Sequence, residues 1–156
     1  MKKSRQFSAL SLQLLAPIDQ IRSMKHTIQV AAGLIKKDHC YLITKRPIGV
    51  HLAGFWEFPG GKREKGESLE ECLQRELKEE LGIDINPGSP FYIIRHEYPE
   101  KLVELHFFCC TIQSGEPQAL GCEQWKWVAP ESLANYEFPP ADRPIIDMLQ
   151  RPPDTR

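Results

Sequence analysis

Gly61-Lys62-Arg63-Glu64-Lys65-Gly66-Glu67-Ser68-Leu69-Glu70-Glu71-Cys72-Leu73-Gln74-Arg75-Glu76-Leu77-Lys78-Glu79-Glu80-Leu81-Gly82-Ile83 reads as one loop followed by one helix. Ser68 is a helix-capping residue, and Glu71 three positions on completes a capping box, so the helix starts at a defined place. At about 100° per residue, Leu69, Leu73, Leu77 and Leu81 form one apolar arc. Glu71, Gln74, Arg75 and Lys78 fall opposite it. Glu80 falls inside the apolar arc, Glu76 just beyond its edge beside Cys72, and Glu79 further round. Positions i, i+3 and i+4 are neighbours on a helix, so Glu76, Glu79 and Glu80 share a face. Three carboxylates held together repel one another. A hard cation that prefers oxygen ligands offsets that repulsion, and such cations also bind substrate phosphates. A solvated acidic surface helix is the plain alternative, but a solvated triad belongs on the polar face.

The spacing G-x5-E-x7-R-E-U-x-E-E-x-G-U, with U aliphatic, is met at every fixed position from Gly61 to Ile83. It resembles the Nudix box. The resemblance extends through Val30–Ile35, Thr44–Pro47, Trp56–Lys62 and Phe138–Asp142, which look like the MutT-type branch of that family. It implies an α/β fold, the Nudix α/β/α sandwich with a mixed β-sheet. It also implies hydrolysis of a nucleoside triphosphate to monophosphate and pyrophosphate. Mg²⁺ is the implied cofactor, with Mn²⁺ as a substitute.

The rest of the composition is compatible with that reading. A chain of 156 residues is long enough for one domain with a real core. Its formal net charge of −1 provides no broad basic field for a nucleic-acid polymer. Five cysteines without C-x-x-C spacing suggest reduced thiols, hence a cytoplasmic setting, rather than a disulfide frame or zinc site. No apolar run approaches the roughly 18 residues of a membrane span. The resemblance implies a small-molecule nucleoside triphosphate as partner, and a monomer or weak dimer is expected.

Residues 1–23 carry Lys2, Lys3 and Arg5 before an interrupted apolar run from Phe7 to Ala16, and faintly resemble a targeting peptide. They are expected to be a dispensable, disordered extension. Residues 24–150 form the domain and 151–156 a frayed tail. Ile28–Ile35 and Tyr41–Thr44 read as a hairpin, Arg46–Trp56 as a loop, and Asn86–Pro90 as a break. Phe91–Glu97, Leu102–Ile112 and Gln124–Val128 read as strands. Asp142–Gln150 reads as a closing helix, with Pro144 tolerable in its first turn.

Position by position, the resemblance implies that Glu76, Glu79, Glu80 and the Gly60 carbonyl hold the metal. Glu67 and Arg75 would orient those ligands. The proton acceptor is expected to be Glu123, which aligns only with a one-residue gap (without it Gly121 takes the place), or else Glu76. Arg46 and His51 would meet phosphate and sugar, Phe58 the base, and Lys101 a further phosphate. The related enzyme has Arg at the Lys101 position, so a fork becomes a point charge. Asp142 replaces the Asn that grips 8-oxoguanine in MutT, and pyrimidine-directed relatives also carry Pro-Ala-Asp. Sanitising oxidised nucleotides such as 8-oxo-dGTP is thus the leading expectation. A cytidine-type triphosphate is the second. A non-catalytic nucleotide-binding domain is a third, disfavoured because no box carboxylate is missing.

Overall fold

Val30-Ala31-Ala32-Gly33-Leu34-Ile35 lacks polar alternation because both faces of the strand that contains it are covered. In the computed structural model, which describes residues 25–152, this strand is β1 (His26–Lys37). It is followed by β2 (Cys40–Lys45), β3 (Trp56–Glu57), β4 (Gly60–Lys62), α1 (Leu69–Leu81), β5 (Asp84–Glu97), β6 (Lys101–Ser114) and β7 (Gln124–Val128). Two 3-10 turns, Pro130–Asn135 and Pro140–Asp142, lead into α2 (Arg143–Gln150). The strand order is β3-β2-β1-β6-β5, with β4 paired to β1 and β7 to β2. β1 and β6 run parallel and the remaining pairs antiparallel, so the sheet is mixed.

Period-2 alternation along the strands splits the core in two. Ala31, Ile35, Leu42, Phe108 and Cys110 pack with Cys72, Leu73, Leu77 and Leu81 of α1. Ala32, Leu34, Ile43 and Phe107 pack on the other side, with Leu133 and with Ile145 and Ile146 of α2. This is the α/β/α sandwich with a mixed sheet that the resemblance implies. Leu73, Leu77 and Leu81 have no exposed surface, and each contributes about 1.5–3 kcal/mol by burial. The capping box is made in full: the Glu71 amide donates to Ser68 Oγ, and the Ser68 amide donates to Glu71. Gly82 ends the helix in the left-handed region at φ 69°, where glycine is unstrained.

The predicted break at Asn86–Pro90 is corrected: β5 runs through it from Asp84 to Glu97. β5 pairs only with β6, so it is an edge strand, where missing proline donors cost little. Register shifts on either side of Pro90 absorb the irregular backbone. The expected strands at Phe91–Glu97 and Leu102–Ile112 are present within longer β5 and β6, and Gln124–Val128 is β7 as read. The closing helix begins at Arg143, one residue later than read, with Pro144 in its first turn. The expectations for residues 1–23 lie outside the described residues. So does the end of the 151–156 tail, of which only Arg151 and Pro152 are described, both exposed.

The short strand β4 was not foreseen. Its Gly60 pairs with Ala32 and Gly61 with Ala31. A Cβ on Gly60 would overlap the Ala31 carbonyl oxygen and the Ala32 Cα, both backbone atoms that cannot yield. Gly60→Ala is therefore expected to cost about 2–4 kcal/mol, read as a lowered Tm in thermal unfolding. A wild-type Tm would show that β4 does not depend on this close approach.

Candidate active site

β4 and α1 bring the box together. Cys72 Sγ lies 3.5 Å from the Gly61 carbonyl oxygen, and the Gly61 α-carbon faces Glu76 so closely that a Cβ would overlap the carboxyl group. The second glycine of the pair thus makes room for a carboxylate of its own chain. Arg75, placed on the polar side by periodicity alone, folds back instead. Its guanidinium grips both oxygens of Glu67 at 3.0 and 2.7 Å and donates to Glu76 at 2.8 Å. It also reaches the Lys62 carbonyl at 3.2 Å. Glu67 in turn accepts from the Glu64 amide at 2.7 Å. These bonds hold the Glu67 carboxyl down at about pKa 2, the Arg75 hydrogen bond being the largest cause. One arginine therefore joins the 62–67 loop to the helix and aims Glu76.

Glu80 and Glu76 are half-buried, while the Glu79 side chain is 61% exposed and lies 3.5 Å from Arg75. Burial, then the nearby charges of Glu57 and Glu76, pushes the Glu80 carboxyl up to about 8, with Arg46 opposing. Burial raises Glu76 as well, against the pull of Arg75. Glu57, on β3, belongs to the same cluster and was not singled out from the sequence. Trp56 and Phe58 both enter the second core, so alternation turns Glu57 the opposite way, and that pattern was the available signal. Its carboxyl is raised by burial and lowered by Arg46, which donates to it at 2.8 Å.

Arg46, Glu57 and Glu80 line a cleft of about 150 Å³ with Lys45, Pro47, Val50, Gly121 and Cys122. Asp142 stands near the same pair: its carboxyl is buried, raised to about 7 by desolvation and then by Glu57, with Arg46 opposing. It makes no side-chain cap bond to α2, so helix capping does not account for it. A larger hollow of about 440 Å³, lined by Tyr136, Phe138, Pro139 and Arg143 among others, contains none of the α1 carboxylates.

Of the other expected site residues, Glu123 and His51 meet the cleft through residues that line it, Lys45 and Arg46. The Glu123 side chain pairs with Lys45 at 3.5 Å on an exposed surface, and Gly121 lies against Glu80 instead. The His51 side chain is exposed, and its backbone carbonyl accepts from Arg46 Nε at 2.7 Å. Phe58 is a core residue, stacked obliquely on Phe138 at 5.4 Å and edge-on to Phe107 at 6.1 Å. Lys101 lies at the start of β6 opposite His26, five residues along β1 from Ala31, with its ammonium 5.2 Å over the Tyr98 ring. The structure does not bring it beside Arg46.

Among the described residues, no three carboxylate, thiol or imidazole groups already form a closed metal cage. The donor set nevertheless fits a hard cation. Its members are all oxygens, and at Glu76 and Glu80 burial and neighbouring carboxylates raise the affinity for a proton or a cation.

Residues 30–148 match the NUDIX domain family. The chain belongs to the Nudix family. It is 36% identical over 125 residues to the 8-oxo-dGTP diphosphatase of Escherichia coli K12, covering 80% of this chain and 97% of that one. It is 39% identical over 127 residues to the CTP pyrophosphohydrolase of the same organism, covering 77% and 89%. The solution structure of the E. coli ORF135 protein superposes with a TM-score of 0.70 at 33% identity, covering 85% of this chain and 91% of that one. This Nudix protein is accordingly a hydrolase of diphosphate bonds, in a family that uses divalent metal. No helix among its described residues is long and apolar enough to cross a membrane.

Proposed function

We propose that this Nudix hydrolase, through its domain at residues 24–150, converts nucleoside triphosphates to monophosphate and pyrophosphate with Mg²⁺, and that 8-oxo-dGTP is its leading substrate. One observation carries the reading: the carboxylates of Glu57 and Glu80 line one cleft with Arg46, and Glu76 stands close enough to Glu80 to raise it further. A metal-bound polyphosphate needs both signs of charge side by side. Glu76, Glu79, Glu80 and the Gly60 carbonyl would hold the metal. When bound, the metal supplies charge neutralisation and a more acidic water. Arg46 would grip the phosphates, and Arg75 with Glu67 would orient Glu76. The proton acceptor would be Glu76, which Arg75 orients, or else Glu123, whose partner Lys45 lines the same cleft.

Asp142 favours a second reading. An ionised carboxylate only accepts hydrogen bonds, and the exocyclic amine of cytosine donates. The relative named CTP pyrophosphohydrolase adds weight to a cytidine-type substrate. The test is pyrophosphate release from 8-oxo-dGTP, dGTP, dCTP and 5-substituted dCTP with Mg²⁺. Equimolar monophosphate and pyrophosphate are expected from at least one of these. Binding without turnover across the whole panel would instead indicate a non-catalytic nucleotide receptor.

A further inference from the structure

Four hydrogen bonds converge on Arg46, one from β3 and three from the 46–55 loop. Its Nη1 donates to Glu57 at 2.8 Å, and both side chains are about three-quarters buried, at 28% and 25% exposure. Its Nε donates to the His51 carbonyl at 2.7 Å. Its backbone closes the 46–55 loop, with the Arg46 amide donating to Phe55 and the Gly54 amide donating to Arg46. Glu57 is itself fixed, because its backbone pairs with Thr44 across β2 and β3. An arginine with two edges tied down has its remaining N–H groups aimed in one direction, which is the preorganisation that anion recognition requires.

We propose that Glu57 is a positioning residue. Its carboxylate, together with the His51 carbonyl, locks the Arg46 guanidinium in the orientation that receives the substrate's phosphate chain. This rests on the reading above that Arg46 meets phosphate. The His51 contribution is through its backbone, so the identity of that side chain is free to vary. A lysine at position 46 offers a single ammonium that cannot hold both acceptors and still present a fork to the ligand.

A double-mutant cycle on the full chain tests the proposal, reading the affinity for tripolyphosphate by calorimetry and KM against kcat by pyrophosphate release. Arg46→Ala and Glu57→Gln are each expected to weaken tripolyphosphate binding and raise KM by about tenfold or more, as for loss of a charge-assisted contact. The double variant should be no worse than Arg46→Ala alone. The Mg²⁺ concentration giving half-maximal rate should be unchanged in Glu57→Gln, and Glu57→Asp should recover part of the loss. Melting curves confirm that each variant is folded. Independent, multiplying losses in the double variant, or a raised Mg²⁺ requirement in Glu57→Gln, would overturn the positioning role and leave Arg46 as a phosphate ligand. Wild-type affinity in Arg46→Ala would overturn the phosphate assignment and the proposal with it.

Discussion

Glu80→Gln is expected to abolish nearly all turnover, by about three orders of magnitude or more, while leaving the metal-free protein more stable than wild type. The loss follows from removing a charged oxygen donor from the set proposed to hold the metal. The gain in stability follows from the environment of the carboxyl. Its folded-state value of about 8 lies above the ordinary carboxylate value of 4.5, chiefly through burial and then through Glu57 and Glu76. The folded state therefore holds a proton that the unfolded state releases. Stability falls as pH rises from about 4.5 to about 8, and the deficit is full above that range. Gln carries no charge and removes the deficit, so the Tm difference between variant and wild type should grow from pH 5 to pH 8. A rise of a few degrees at pH 8 is the order of magnitude for a domain of this size. Glu79→Gln should also reduce turnover, but without the stability gain, because Glu79 is exposed and near Arg75. Near-normal Mg²⁺-dependent hydrolysis by Glu80→Gln would remove Glu80 from the metal site.

Asp142→Asn is expected to shift substrate preference toward 8-oxo-dGTP over dCTP by about 10²-fold in kcat/KM. A mismatched hydrogen-bonding group in a closed pocket carries a cost of that order. 8-oxoguanine presents an acceptor at O6 beside a donor at N7-H. An Asn amide satisfies both, whereas an ionised Asp accepts from one and repels the other. The buried carboxyl of Asp142 titrates at about 7. Below that pH it is protonated and can donate; above it, it can only accept. Wild-type preference for 8-oxo-dGTP relative to dCTP should thus fall between pH 6 and pH 8, and the Asn variant should remove that component of the pH dependence. The same raised value means that Asp142 also lowers stability as pH climbs from about 4 to about 7. Since Asp142 makes no cap bond to α2, the variant should not lose helix stability on that account. Equal kcat/KM ratios in variant and wild type, across all substrates, would exclude Asp142 from base selection.

Local sequence was enough for whatever depends on neighbours along the chain. The helix limits, the Ser68–Glu71 box, the leucine arc and the sharing of one face by Glu76, Glu79 and Glu80 all follow from a 3.6-residue period. The glycine pair and the spacing to Arg75 were sufficient to indicate the family. What depends on separate segments meeting was not legible in this way. Periodicity put Arg75 on the solvent side, but the 62–67 loop returns over the helix and gives that guanidinium better partners than water. Prolines in 86–90 predicted a break, but an edge strand has no second neighbour to disappoint. Glu57 gave only the local sign of alternating with the core residues Trp56 and Phe58; its meaning comes from Arg46 eleven residues away and from Glu80 on another element. Asp142 reads locally as an ordinary cap; only its packing near Glu57 and Arg46, out of water, turns it into a group poised near neutral pH. Burial and charge proximity are properties of the assembled sheet and helices, so the tertiary structure alone decided which carboxylates of separate elements face one another.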